Sequence, residues 1–115
     1  MMREVLHAKI WNATVTQAKV EYIGSISIDE DLIEKAGFWP GQKVLVVSNT
    51  TGERLETYVM RAERGSGIIG MNGAAARVIK VGEKIIIMGF MLSEKPIKEK
   101  VVIVDEKNAF LKFLM

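Results

Sequence analysis

The chain has 115 residues, 49% of them hydrophobic and 26% charged, and its 16 basic and 14 acidic side chains leave a net charge of +2. That is the composition of one globular domain, residues 1–115, and it excludes a disordered segment or a strongly basic nucleic-acid binder. The lack of cysteine and the single histidine, His7, exclude disulfides, thiol catalysis and Cys/His metal sites; no apolar run has the length of a membrane span and no signal-peptide core opens the chain, so cytoplasmic residence with no membrane partner is expected.

In chain order, residues 5–15 alternate as a strand with a break near Asn12-Ala13, and residues 19–28 alternate as a second strand with Gly24-Ser25 inside it. Asp29 is the expected N-cap of a short helix with Leu32, Ile33 and Ala36 on one face and Gly37 as its stop. Pro40-Gly41 marks a turn, residues 43–49 a buried strand, Thr50-Thr51-Gly52 a turn, and residues 53–62 its partner strand. A turn at residues 64–67 leads to a short strand over 68–71, then to a loop at Asn72-Gly73-Ala74-Ala75-Ala76-Arg77 that opens a short helix. Val81-Gly82 turns into the strongest strand, residues 84–91, and residues 101–104 form one more. The apolar tail of Phe110, Leu111, Phe113, Leu114 and Met115 is expected to pack on the domain or on a neighbouring subunit. Many short strands with one or two short helices predict a mainly β fold, a small barrel.

The chemistry of interest lies at Gly24-Ser25. A Gly-Ser pair alone is an ordinary turn or bulge. The Ser25 hydroxyl can also attack the Gly24 carbonyl, with an intramolecular advantage of about 7–11 kcal/mol from orientation. The C–N bond breaks, the serine proton passes to the departing nitrogen, and an ester remains. Elimination then frees Gly24 as a new carboxyl terminus and leaves dehydroalanine at position 25. Water replaces the enamine nitrogen, which departs as ammonia, and a pyruvoyl group caps the second fragment. A pyruvoyl ketone forms a Schiff base with an amine and withdraws electrons. Glycine before the serine fits this chemistry because it reaches strained backbone conformations.

The other segments supply partners for such a group. Arg54, Glu56 and Tyr58 alternate onto one face of a strand, with Thr57 on the other. An arginine fork holds a carboxylate, a tyrosine hydroxyl donates a proton, and a threonine hydroxyl turned inward by a bulge could steady the Gly24 oxyanion. Asn72-Gly73-Ala74-Ala75 offers small side chains and exposed N–H groups where an anion could rest. Each of these residues also has a purely structural reading as a strand or turn former.

Taken together, the chain resembles the pyruvoyl-dependent aspartate 1-decarboxylases. The resemblance runs through Ala8-Lys9-Ile10, Val15-Thr16, Tyr22-Ile23-Gly24-Ser25-Ile26-Ser27-Ile28-Asp29, Ala36-Gly37, Asn49-Thr50-Thr51-Gly52, Arg54, Thr57-Tyr58, Ala62-Glu63-Arg64-Gly65-Ser66-Gly67 and Asn72-Gly73-Ala74-Ala75-Ala76. It implies a six-stranded double-psi β-barrel with short helices, assembled as a homotetramer with active sites between subunits. It implies cleavage between Gly24 and Ser25 into chains 1–24 and 25–115, unaided or with a maturation factor. It implies α-decarboxylation of L-aspartate to β-alanine for pantothenate and coenzyme A synthesis, on a pyruvoyl cofactor made from Ser25. Carried over by position, Tyr58 is the proton donor, Thr57 serves processing and substrate, Asn72, Gly73, Ala74 and Ala75 line the substrate site, and Lys9 and Arg54 bind carboxylates. This chain has Trp11 where many relatives carry a histidine. Two other readings, a non-catalytic barrel module and a pyridoxal-phosphate enzyme, fit less well. The first has no reason to keep Ser25, Tyr58 and Arg54, and the second needs a larger phosphate-binding domain.

Overall fold

The structure, a computed structural model, describes residues 1–114. Its elements are β1 (Arg3–Thr14), β2 (Gln17–Lys19), β3 (Ser25–Asp29), α1 (Glu30–Ala36), β4 (Lys43–Ser48), β5 (Arg54–Ala62), β6 (Ile69–Asn72), α2 (Ala75–Val78), β7 (Lys84–Ser93), β8 (Lys100–Val104) and β9 (Phe110–Phe113). Strand order across the sheet is β2-β6-β3-β5-β4-β7-β1-β8-β9.

That order closes on itself. β2 continues β1 after a bend at Val15-Thr16, so one stave, β1 with β2, pairs with β7 antiparallel at one end and with β6 parallel at the other. Around the ring, β6 pairs antiparallel with β3, β3 parallel with β5, β5 antiparallel with β4, and β4 antiparallel with β7. The ring therefore has six staves, and closure removes the free edges that an open sheet would carry. The two halves repeat one pattern. β1/β2, β3, α1, β4 is followed by β5, β6, α2, β7, and each half adds one parallel pairing, β3 with β5 and β6 with β2. This is the double-psi β-barrel, mainly β with two short helices. β8 joins the outside of β1 in parallel, and β9 pairs with β8 antiparallel; with β1 and β2 counted as separate strands, the sheet has nine.

The core shows why these residues make this ring. Each stave turns aliphatic side chains inward: Ala8, Ile10 and Ala13 from β1, Ile26 and Ile28 from β3, Val44 and Val46 from β4, Val59 from β5, Ile69 and Met71 from β6, Ile85 and Ile87 from β7. β-branched residues pack well on such pleated surfaces, and each fully buried one contributes about 1.5–3 kcal/mol. Asp29 caps α1 by accepting from the Asp31 N–H at 2.9 Å, and Gly37 ends the helix at φ 78°. The expected break in β1 is real: Asn12 has φ 69°, and the β1–β7 register slips between Trp11 and Ala13.

One expectation is corrected. Residues 19–28 are not one strand. The chain turns at residues 20–24, with the Tyr22 N–H donating to the Lys19 carbonyl at 3.2 Å, and β3 starts only at Ser25. Alternation at Val20 and Tyr22 is misleading because both side chains are exposed. The tail packs only in part: Phe110 lies against the core, while Leu111, Phe113 and Leu114 are exposed on and beyond β9. Met115 lies outside the described residues.

Candidate active site

Ser25 is the first residue of β3 and is buried. Its cross-strand partner is Asn72, the last residue of β6. The Asn72 side chain donates from Nδ2 to Ser25 Oγ at 2.9 Å and to Ser27 Oγ at 2.8 Å. Burial without a partner would cost such polar groups about 1–3 kcal/mol, so this amide holds the serine in place.

Gly24 opens onto a cavity of about 360 Å³. Thr57, Tyr58, Asn72, Ala74 and Ala75 line it with Gly24. Leu55, Glu56 and Val78 complete the wall; of these three the sequence places only Glu56, on the face of Arg54 and Tyr58, and gives none a role in the site. Thr57 and Tyr58 point to opposite faces of β5, yet both reach the cavity without the bulge that the sequence reading invoked. β5 pairs with β3 only from Val59 onward, where Ile26 is its partner, so residues 55–58 flank an opening on that side. One step upstream of the Ile26–Val59 pair, Ser25 and Tyr58 occupy neighbouring positions on parallel strands.

Gly73 is buried at φ 67° and packs on Gly24. A Cβ there would stand 2.7 Å from Gly24 Cα, 2.8 Å from Gly24 N and 2.9 Å from the Tyr22 carbonyl oxygen. Gly24 itself is not at positive φ, and a Cβ there would meet only the Asn72 carbonyl oxygen, at 3.9 Å. Gly24 thus lies outside the left-handed region that favours glycine, and the tight contact belongs to Gly73. The helix that Asn72-Gly73-Ala74 opens has four residues and no side-chain cap, too short for a helix-terminus anion site.

The structure does not bring Lys9 and Arg54 to this cavity. Lys9, on β1, heads a row across the outer face: Lys9 beside Met88, Met88 beside Leu45, Leu45 beside Glu56. Three strand spacings make that about 14 Å. The next row is Trp11, Ile86, Val47 and Arg54. Arg54 lies four residues before Tyr58 on the same face, about 13 Å along an extended strand. Glu56 pairs with Lys43 at 3.3 Å. His7 is on the far side of β7, bonded to Gln42 at 2.8 Å, and burial lowers its pKa. Among the described residues no group of three or more carboxylate or histidine side chains could hold a metal ion, and no helix is long and apolar enough to cross a membrane.

Comparison with known proteins agrees with this geometry. A family profile described as aspartate decarboxylase matches residues 1–111. The chain is 51% identical to the aspartate 1-decarboxylase of Caldicellulosiruptor saccharolyticus, covering 97% of this chain and 91% of that protein. It is 50% identical to the Thermotoga sp. protein of the same name, over 94% of this chain and 95% of that one. With the Neisseria meningitidis aspartate 1-decarboxylase it shares 48% identity, over 94% and 88% respectively. With a buried serine behind a glycine that faces a threonine- and tyrosine-lined cavity, and with such matches along nearly its whole length, the chain belongs to the aspartate decarboxylase family.

Proposed function

We propose that this protein decarboxylates L-aspartate to β-alanine on a pyruvoyl group that it makes from its own Ser25. The observation that carries the reading is the serine's setting. A buried hydroxyl, fixed by Asn72 at 2.9 Å, follows a glycine that lines the same cavity as Thr57 and Tyr58. The residues fit the group: cleavage after Gly24 leaves position 25 beside Tyr58, and the small Ala74 and Ala75 leave room for a substrate.

A pyruvoyl ketone at position 25 supplies an electrophilic carbonyl for the substrate amine and a sink for the electrons released with CO₂. The rest is the work of side chains. Thr57 Oγ1 donates to the Gly24 carbonyl oxygen as charge develops there during cleavage, and later to substrate. The Tyr58 hydroxyl delivers a proton to the carbon that has lost CO₂. Asn72 holds position 25, and Ala74 and Ala75 shape the pocket. Lys9 and Arg54 bind the substrate carboxylates from the outer face of a neighbouring subunit, since neither reaches the cavity of its own chain. The protein is accordingly a homotetramer with shared sites, placed in the cytoplasm, and its β-alanine feeds pantothenate and coenzyme A synthesis.

Intact mass of the denatured protein tests this. Warm incubation, alone and in a cell lysate that supplies any maturation factor, is expected to give fragments 1–24 and pyruvoyl-capped 25–115. Ser25→Ala should stay whole and release no β-alanine from aspartate. A parent chain that stays whole in both settings and forms no β-alanine removes the proposal.

A further inference from the structure

Resting on the self-cleavage reading, we propose that Ser27 is a positioning residue for that cleavage, acting on Ser25 through Asn72. Ser25 and Ser27 lie two apart on β3 and so share one face. Asn72 stands directly across from Ser25, whereas Ser27 stands across from Gly70. Gly70 has no side chain to cover Ser27; a Cβ there would already be 3.5 Å from Ser27 Cβ. The Asn72 amide therefore lies diagonally along the face and spans both hydroxyls.

A carboxamide nitrogen has two hydrogens. Here both are used, one on Ser25 Oγ and one on Ser27 Oγ, at 2.9 and 2.8 Å. An amide held at two points has one orientation. Ser25 Oγ then receives one N–H on one lone pair. It keeps its other lone pair for the Gly24 carbonyl carbon and its proton for the departing nitrogen. When the ester eliminates, that same oxygen leaves with Gly24 as carboxylate, and the Asn72 N–H is already placed on it. Without the Ser27 hydroxyl, one N–H has no partner on β3. Asn72 also lines the cavity, so its amide can swing toward water there and release Ser25.

The test is a rate cycle on uncleaved precursor, following fragments by intact mass at one temperature, with Ser27→Ala, Asn72→Ala and the double variant. Ser27→Ala is expected to cleave on the order of tenfold more slowly, the cost of one lost hydrogen bond at the reacting serine. In the Asn72→Ala background the same change should leave the rate unaltered, because its route to Ser25 is gone. Ser27→Thr, which keeps a hydroxyl, should restore most of the parent rate, and thermal melting should show every precursor folded. Parent cleavage with an unchanged Ser27→Ala rate, or additive effects in the double variant, overturns this proposal alone. A parent that never cleaves overturns it together with the function it rests on.

Discussion

At the scale of single residues, two glycines meet beside Ser25 and do different work. Gly24 is chemically placed, with its carbonyl before Ser25 and its surface open to the cavity. Gly73 is sterically required, since its φ of 67° and its 2.7 Å approach to Gly24 Cα leave no room for a methyl group. Gly73→Ala must push Gly24 away or twist the 72–75 turn. We expect its precursor to cleave at least tenfold more slowly, a barrier increase of about 1.4 kcal/mol or more, with strain of about 1–3 kcal/mol added to the fold. A time course of fragment masses beside a thermal melt checks both, and parent-like cleavage would show that the two backbones can separate freely. In the sequence Gly73 reads as part of a tight turn where an anion could rest and, by resemblance, as part of the substrate site. The contact that matters is with a residue 49 positions earlier in the chain (73 minus 24), and no local pattern encodes it.

Elements with their own punctuation were legible in the sequence. α1 is bracketed by a capping aspartate and a stopping glycine, and the break in β1 falls at Asn12, a residue type that tolerates positive φ. β4, β5 and β7 follow from their aliphatic or alternating runs. The stretch before Ser25 was misread because Val20 and Tyr22 alternate as strand residues do, yet nothing pairs with them there. Asn108 was also missed. It is buried at φ 63°, its Oδ1 accepts from the Thr14 N–H at 2.8 Å, and its Nδ2 donates to the carbonyls of Thr14 at 2.9 Å and Gly67 at 2.8 Å. One side chain thus ties the turn before β9 to the end of β1 and to the loop before β6. Asn108→Ala loses all three bonds and should destabilise the protein by about 3 kcal/mol, whereas Asn108→Gly, which suits the backbone, should lose about 1 kcal/mol less. Denaturant titration of both variants checks this; equal stability of parent and Asn108→Ala would mean that the tie is dispensable.

On the scale of the whole molecule, the expected site residues fall into two sets. Ser25, Thr57, Tyr58, Asn72, Ala74 and Ala75 gather at one opening of the barrel, with Gly73 packed behind Gly24, while Lys9 and Arg54 lie across the outer face. The sequence revealed both sets through local motifs, but the distance between them is set by strand order, which those motifs do not carry. A site shared between subunits predicts complementation. Lys9→Ala and Tyr58→Phe should each be cleaved yet turn over poorly. Co-assembled at random, they should recover activity in about a quarter of the sites, those that draw an intact half from each chain. Mixed assemblies no more active than the separate variants would place Lys9 and Tyr58 in the same subunit's site or outside it. Ring closure has one more consequence. The segment ahead of Ser25 is a complete stave, joined to β7, β8 and β6 and sealed by Ala8, Ile10, Ala13 and Val15. Once cut, the barrel is a split protein whose smaller piece is clamped on both flanks. Under the proposed cleavage the pieces would stay together without a covalent link, but once fully unfolded they must find each other by diffusion, so the cut would make refolding depend on concentration.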